Sequence, residues 1–167
     1  MSRSNRLASL ARLGAKGGPA EKEPKPAILV VDDNPLVRAG LELTLKDEFD
    51  AVLCGSGREA LARLNERLEA AVLDVKMPEM DGFEVYRRIR ERLPELPVVF
   101  YSAYQDFKEP LDVINEYAPA GFVIKGREDA HEKLLDVLRR CVRIGRSKRQ
   151  VDRLRKEMSR VFDKGST

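Results

Sequence analysis

The order of apolar and polar segments predicts an α/β fold in which five short strands alternate with helices around one parallel sheet. Three observations carry this. Apolar runs such as Ile28-Leu29-Val30-Val31 and Ala71-Val72-Leu73 lack inside–outside alternation, as strands covered on both faces do. The segments between them have helical spacing and helix-start signals. The runs also end in polar groups: Asp32-Asp33, Asp74, Ser102 and Lys125. In an open α/β sheet these carboxyl ends lie side by side, where sites form.

The elements follow in order. Residues 27–32 read as the first strand. Asn34-Pro35 opens a helix, with Asn as N-cap and Pro at the first helical position, and Leu36, Val37, Leu41, Leu43 and Leu45 continue it to about Asp47. Residues 50–54 form the second strand. Ser56 and Glu59 have capping-box spacing ahead of Ala60, Leu61 and Leu64. The third strand is expected at 70–74, followed by a loop through Pro78 and a helix near 82–92. Pro94 and Pro97 bracket the approach to a fourth strand at 97–101. A helix from about 107 to 117, a fifth strand at 121–124 and a last helix from near Glu128 complete (βα)5.

Composition bounds the rest. The chain has 167 residues, 43% of them hydrophobic, enough for one domain with extensions. No apolar stretch approaches the roughly 20 residues of a membrane-spanning helix, and no secretory segment is visible, so a cytoplasmic location is expected. Cys54 and Cys141 make no disulfide framework and read as small buried apolar side chains. His131 is the only histidine, which excludes a multi-histidine metal site within one chain. The net charge of +3 conceals an asymmetry. Residues 1–26 carry +4 and residues 139–167 carry +8, which leaves −9 on residues 27–138. Residues 1–26, broken by Gly14, Gly17, Gly18, Pro19, Pro24 and Pro26, read as a flexible basic arm.

Asp32, Asp33 and Asp74 would place up to three negative charges close together, which is costly without neutralisation. Mg²⁺ suits such a cluster, as a hard ion that takes carboxylates and keeps several waters. Ca²⁺ would want more protein oxygens, and zinc lacks His or Cys ligands here. One acid is a candidate nucleophile and the others a metal anchor. A carboxylate that attacks phosphorus forms an aspartyl phosphate. Lys125 would neutralise the transferred phosphoryl oxygens, with Ser102 donating a hydrogen bond.

Four motifs in order then make a resemblance specific: Val30-Val31-Asp32-Asp33-Asn34, Leu73-Asp74 with Met77-Pro78-Glu79-Met80-Asp81-Gly82, Tyr101-Ser102-Ala103, and Gly121-Phe122-Val123-Ile124-Lys125. The chain resembles the receiver domain of two-component response regulators over roughly residues 27–143. The resemblance implies a flavodoxin-like fold with sheet order 2-1-3-4-5. It implies that Asp74 accepts a phosphoryl group from a sensor histidine kinase or a histidine phosphotransfer protein. Asp32, Asp33, Asp74 and the backbone carbonyl of Lys76 would bind Mg²⁺. Ser102 and Lys125 would contact the phosphoryl group. Ser102 and Phe122 would switch the face formed by the fourth helix, fifth strand and fifth helix toward a downstream protein. Such a module catalyses only its own phosphorylation and dephosphorylation and is not otherwise an enzyme. The family usually has Pro after the lysine, whereas Gly126 stands here, with a trans bond expected. Lys76 and Tyr104 flank the route of water to the acyl phosphate, so a long lifetime is expected.

No second domain fits after residue 143, so the receiver is expected to stand alone. Residues 144–167 read as a basic helical extension. Val137, Ile144, Val151 and Met158 recur every seven residues, with Leu154 and Val161 in a second row, Arg140 and Ser147 interrupting it, and Gly145 weakening the helix. This spacing allows a homodimer through the C-terminal helix. Other readings are a frayed tail, or a DNA- or nucleoid-associated regulator acting through the basic arms. The tail lacks interleaved aromatics, which disfavours base stacking. A pseudo-receiver that is never phosphorylated is a further alternative, opposed by the intact acidic pair, Asp74, Ser102 and Lys125.

Overall fold

A computed structural model describes residues 24–103 and 115–164, with side chains to residue 160. The arm expected over 1–26 lies almost wholly outside the described residues. So do Tyr104 and most of the helix expected at 107–117, of which residues 115–117 are described and helical.

Five parallel strands form one sheet: β1 (Ala27–Val31), β2 (Asp50–Cys54), β3 (Leu68–Leu73), β4 (Val98–Ser102) and β5 (Gly121–Ile124). Their order is β2-β1-β3-β4-β5, the flavodoxin-like arrangement expected from the sequence. Two apolar clusters cover the two faces. One contains Leu29, Leu73, Phe100, Val85 and Ile89, the other Ile28, Val30, Val99, Leu134 and Leu138. The absence of alternation in the strands has this cause. Successive residues of β1, Ile28 to Val31, are all buried, pointing by turns into one cluster and the other.

Local chemistry sets the helix starts. Helix α1 (Pro35–Leu45) begins where the Asn34 side chain accepts the Leu36 amide at 2.9 Å, with Pro35 in the first turn. In α2 (Gly57–Ala62), Ser56 accepts the Glu59 amide, and the Glu59 carboxylate accepts the amide of Gly55 rather than that of Ser56. Asp81 caps α3 (Gly82–Arg92) by accepting the Glu84 amide at 2.8 Å.

Several boundaries differ from those expected. Helix α1 stops at Leu45, and Lys46, Glu48 and Phe49 make the turn that closes it. Strand β3 starts at Leu68 rather than residue 70, and Asp74 lies just past its end rather than within it. Strand β4 runs to Ser102, one residue further than expected. The C-terminal helix is one continuous element, Ala130–Lys164, about 50 Å long at 1.5 Å per residue. Gly145 does not break it. Val137 belongs to the core rather than to an outward seam, because it packs under β5 against Gly121.

Ion pairs fasten this helix to the amino-terminal edge of the sheet. Glu69, at the start of β3 and only 14% exposed, receives Arg146 at 3.0 Å and Arg149 at 2.7 Å. Glu95, before β4, pairs with Lys148. Arg139 grips Glu48 through two nitrogens, at 2.6 and 2.8 Å. No described helix is long and apolar enough to cross a membrane.

Cys54 and Cys141 are both buried, and burial pushes the Cys54 thiol up to about 11 and also raises that of Cys141. Neither should therefore react with an aromatic disulfide reagent in the native protein at mildly alkaline pH. The measurement is thiol titration with and without denaturant. Stoichiometric reaction of either cysteine in the folded chain would contradict the packing.

Candidate functional site

Strand register brings the polar groups together. Val31 is opposite both Cys54 and Leu73, Leu73 is opposite Phe100, and Ser102 is opposite Ile124. Asp32 and Asp74 are thus each the first residue past adjacent central strands, and Lys125 is the first past β5. Backbone bonds extend the ladder by one residue at each place. The amide of Asp32 donates to Cys54 O, that of Asp74 to Val31 O, and that of Lys125 to Ser102 O, at 3.2, 2.8 and 2.9 Å. The functional side chains are therefore fixed by the sheet itself.

Asp32, Asp74 and Ser102 are buried, whereas Asp33 and Lys76 are exposed. The Lys125 ammonium bridges the buried acids, 2.6 Å from Asp32 Oδ2 and 2.8 Å from Asp74 Oδ2. Ser102 Oγ donates to Asp74 Oδ1 at 2.6 Å and accepts the Val75 amide at 3.3 Å. Both oxygens of Asp74 are thus engaged, one by a hydroxyl and one by a cation. The other oxygen of Asp32 accepts the Asn34 amide at 2.9 Å. Carboxylate oxygens of Asp32, Asp33 and Asp74 all lie within 4.8 Å of one another. Three hard oxygen donors at such separations, one of them exposed, fit a divalent cation that retains water.

Electrostatics follows from burial. Burial raises the Asp32 pKa, against the opposing hydrogen bonds from Lys125 and the Asn34 amide, while the nearby Asp74 adds to the rise. At Lys125 burial opposes the charge, but hydrogen bonds to Asp32 and Asp74 outweigh it and hold the ammonium above the ordinary lysine range. The proton accordingly stays on the lysine.

Lys125 keeps this place although Gly126 follows it. Gly126 takes φ +77°, a left-handed conformation open to glycine, and no cis bond occurs among the described residues. Phe122 is half-buried and packs against the cluster that contains Phe100. Lys76 is exposed beside the site, and Tyr104, the other residue expected to flank the water route, lies outside the described residues.

Two supporting residues have no role assigned to them from the sequence. Arg38 Nη1 donates to the carbonyl of Asp32 at 2.6 Å, one helical turn past the N-cap Asn34. That i+4 spacing was the available signal. The Tyr101 ring lies 5.8 Å from the Lys125 ammonium, and although Tyr101 belongs to the Tyr101-Ser102-Ala103 motif, nothing local to it marks this contact.

Gly82 has a steric role. A Cβ there would meet the carbonyl oxygen of Asp74 at 2.1 Å and Val75 Cα at 2.9 Å, because the Gly82 amide donates to Val75 O across this contact. Gly82→Ala should therefore push back the backbone that carries Asp74, costing about 1–3 kcal/mol. Denaturant unfolding checks the cost. A variant as stable as the parent would show that α3 can shift without disturbing β3.

A family model described as the response regulator receiver domain matches residues 28–138. Among curated proteins, the transcriptional activator protein ExaE of Pseudomonas putida is 35% identical over 122 residues, covering 69% of this chain and 54% of that protein. The chain spans about half the length, or less, of the curated relatives it matches. Among solved structures, response regulator StyR matches at TM-score 0.70 and 25% identity, over 83% of this chain and 70% of that one. The chemotaxis protein CheY4 of Vibrio cholerae matches at TM-score 0.61 and 27% identity, over 70% of this chain and 98% of that one. The strand-end carboxylates, hydroxyl and ammonium stand on the fold these proteins share, and this chain belongs to the response regulator receiver family, the phosphorylation-controlled modules of two-component signalling.

Proposed function

We propose that residues 27–143 act as a receiver whose phosphoryl acceptor is Asp74, with a sensor histidine kinase or a histidine phosphotransfer protein as donor. The observation that carries this is the pairing of the two Asp74 oxygens, with Ser102 at 2.6 Å and Lys125 at 2.8 Å. A carboxylate oxygen of Asp74 attacks the phosphorus of the donor phosphohistidine. The P–N bond breaks, the imidazole leaves, and an acyl phosphate remains on Asp74. Asp32, Asp33, Asp74 and the Lys76 carbonyl would hold Mg²⁺, which supplies positive charge to the phosphoryl oxygens. Lys125 and Ser102 neutralise and orient those oxygens without redistribution of solvent. The chain is consumed as substrate in this step and is not a turnover enzyme for other molecules.

The output is a shift between pre-existing arrangements of the face that the resemblance implies, of which β5 and the start of the C-terminal helix are among the described residues, read by a downstream protein in the cytoplasm. Ser102 and Phe122 would couple the phosphoryl group to it. The donor has a suitable approach on the other side of the site. Leu36 and Leu43 on α1 are 81% and 65% exposed, on the helix that starts beside Asp33. Large aliphatic side chains in water beside a reactive site suit a protein donor.

With Mg²⁺ and acetyl phosphate, the protein should gain one base-labile phosphoryl group, read by intact mass, and Asp74→Asn should gain none. Labelling that persists in Asp74→Asn would move the acceptor elsewhere. Lys125→Ala should spare Mg²⁺ binding but slow labelling.

Leu36→Asp with Leu43→Asp should slow transfer from a phosphohistidine protein at least about tenfold, a loss of about 1.4 kcal/mol, while labelling by acetyl phosphate continues at the parent rate. Equal rates with the protein donor would remove α1 from the docking surface.

A further inference from the structure

The C-terminal helix carries an apolar stripe that its own receiver does not cover. Ile144, Val151, Leu154 and Met158 are each more than half exposed. At 100° per residue they fall within an arc of roughly 80° on one side of the helix. The receiver occupies nearly the opposite side. Arg146 and Arg149 reach Glu69, and Gly145 and Asp152 close a cleft against Leu68 and Leu96. A rigid helix held in this way cannot roll its stripe onto the body that anchors it.

Charge selects the occupant. Residues 144–160 contain seven Lys or Arg and two acids, which by count alone would favour an acidic partner or a polyanion. Position reverses that choice. Arg149, Arg153, Lys156 and Arg160 lie on the far side from the stripe, along one ridge. The residues bordering the stripe are Lys148 and Arg155 on one edge, Arg143, Gln150 and Glu157 on the other. Lys148 is already neutralised by Glu95. What remains at the border is Arg143 and Arg155 against Glu157, an excess of one positive charge, which repels a like surface only weakly and gives an acidic one little to hold.

We infer that a second copy of this chain covers the stripe, the two C-terminal helices pairing through Ile144, Val151, Leu154 and Met158. Seven-residue spacing places these side chains at the a and d positions of a coiled-coil seam. A stripe of this kind is self-complementary about a two-fold axis, as a closed dimer requires. The seam spans little more than two heptads, so the pairing is weak and concentration-dependent. It does not depend on phosphorylation of Asp74, because the helix and its stripe are present in the unmodified chain.

Sedimentation equilibrium of the full chain over a wide concentration range tests this. The mass should rise from 18.9 kDa toward twice that value. Val151→Glu with Leu154→Glu should weaken association at least about tenfold, a change of about 1.4 kcal/mol. Both positions are more than half exposed, so the variant should keep the thermal midpoint of the parent, which verifies that the receiver still folds. Lys156→Glu, on the opposite ridge, should associate as the parent does. Added salt should leave the dimer intact or tighten it, because it screens the small positive excess at the border of the seam. A monomer at every concentration overturns the inference. So does a dimer that survives Val151→Glu with Leu154→Glu, one lost in Lys156→Glu, or one dissociated by salt.

Discussion

The site depends on one constraint: two carboxylates that the sheet buries side by side must share a cation. Asp32 and Asp74 leave adjacent central strands at the same level, so the parallel register brings like charges together whatever their neighbours are. Lys125 at 2.6 and 2.8 Å answers that charge from the far strand. An isolated buried ion pair contributes little net stability, but one that loses a partner costs on the order of 3–5 kcal/mol. The arrangement is therefore better understood as poised than as strongly stabilising. On the proposed function, an incoming phosphoryl group would bring new negative charge to the same lysine, and a divalent cation would bring positive charge to the same acids. Either would change which partner Lys125 holds, and such an exchange is what a switch requires.

The surroundings keep this exchange local. The amide of Lys125 is tied to Ser102 O, the carbonyl of Asp32 to Arg38, and the Val75 amide to Ser102 Oγ. Backbone motion at the strand ends is thus restricted. Gly82 draws the capped start of α3 to within contact of the Asp74 backbone, closing the site from below. Gly126 closes the turn after Lys125 in a left-handed conformation, so the position of the lysine does not require a proline after it.

Much of this was legible in the sequence because the relevant signals are local. An apolar run that stops at a carboxylate states both the strand and its end, and Asn34-Pro35 states the helix start that follows. What was illegible was non-local. The true start of β3 was obscured by Glu69, a charge inside an apolar run. It is explained only by Arg146 and Arg149, 77 and 80 residues away. The same contacts explain why Gly145 does not end the helix. Its propensity cost of about 1 kcal/mol is set against the ion pairs of Arg146 and Arg149 just after it, and that of Arg139 before it. Val137 shares the seven-residue spacing of the stripe, yet spacing alone cannot tell a core-facing residue from an outward one. The contact with Gly121 decides it. Tyr101 beneath Lys125 could not be assigned a role before the strand register was known.

The charge asymmetry of the chain also acquires a physical meaning. An acidic body with a basic helix suggests an external polyanion, but the structure spends part of that complementarity internally. Glu48, Glu69 and Glu95 lie along the amino-terminal side of the fold, and each meets a base of the C-terminal helix. Exposed pairs of this type contribute at most about 1 kcal/mol each. Glu69 differs, since it is largely shielded and takes two guanidinium groups in a geometry that leaves neither carboxylate oxygen unengaged. It fixes the direction in which the helix leaves the sheet. The two edges of the sheet therefore have separate tasks. The carboxyl edge gathers charge that is free to change partners, and the amino edge gathers charge that is fully matched.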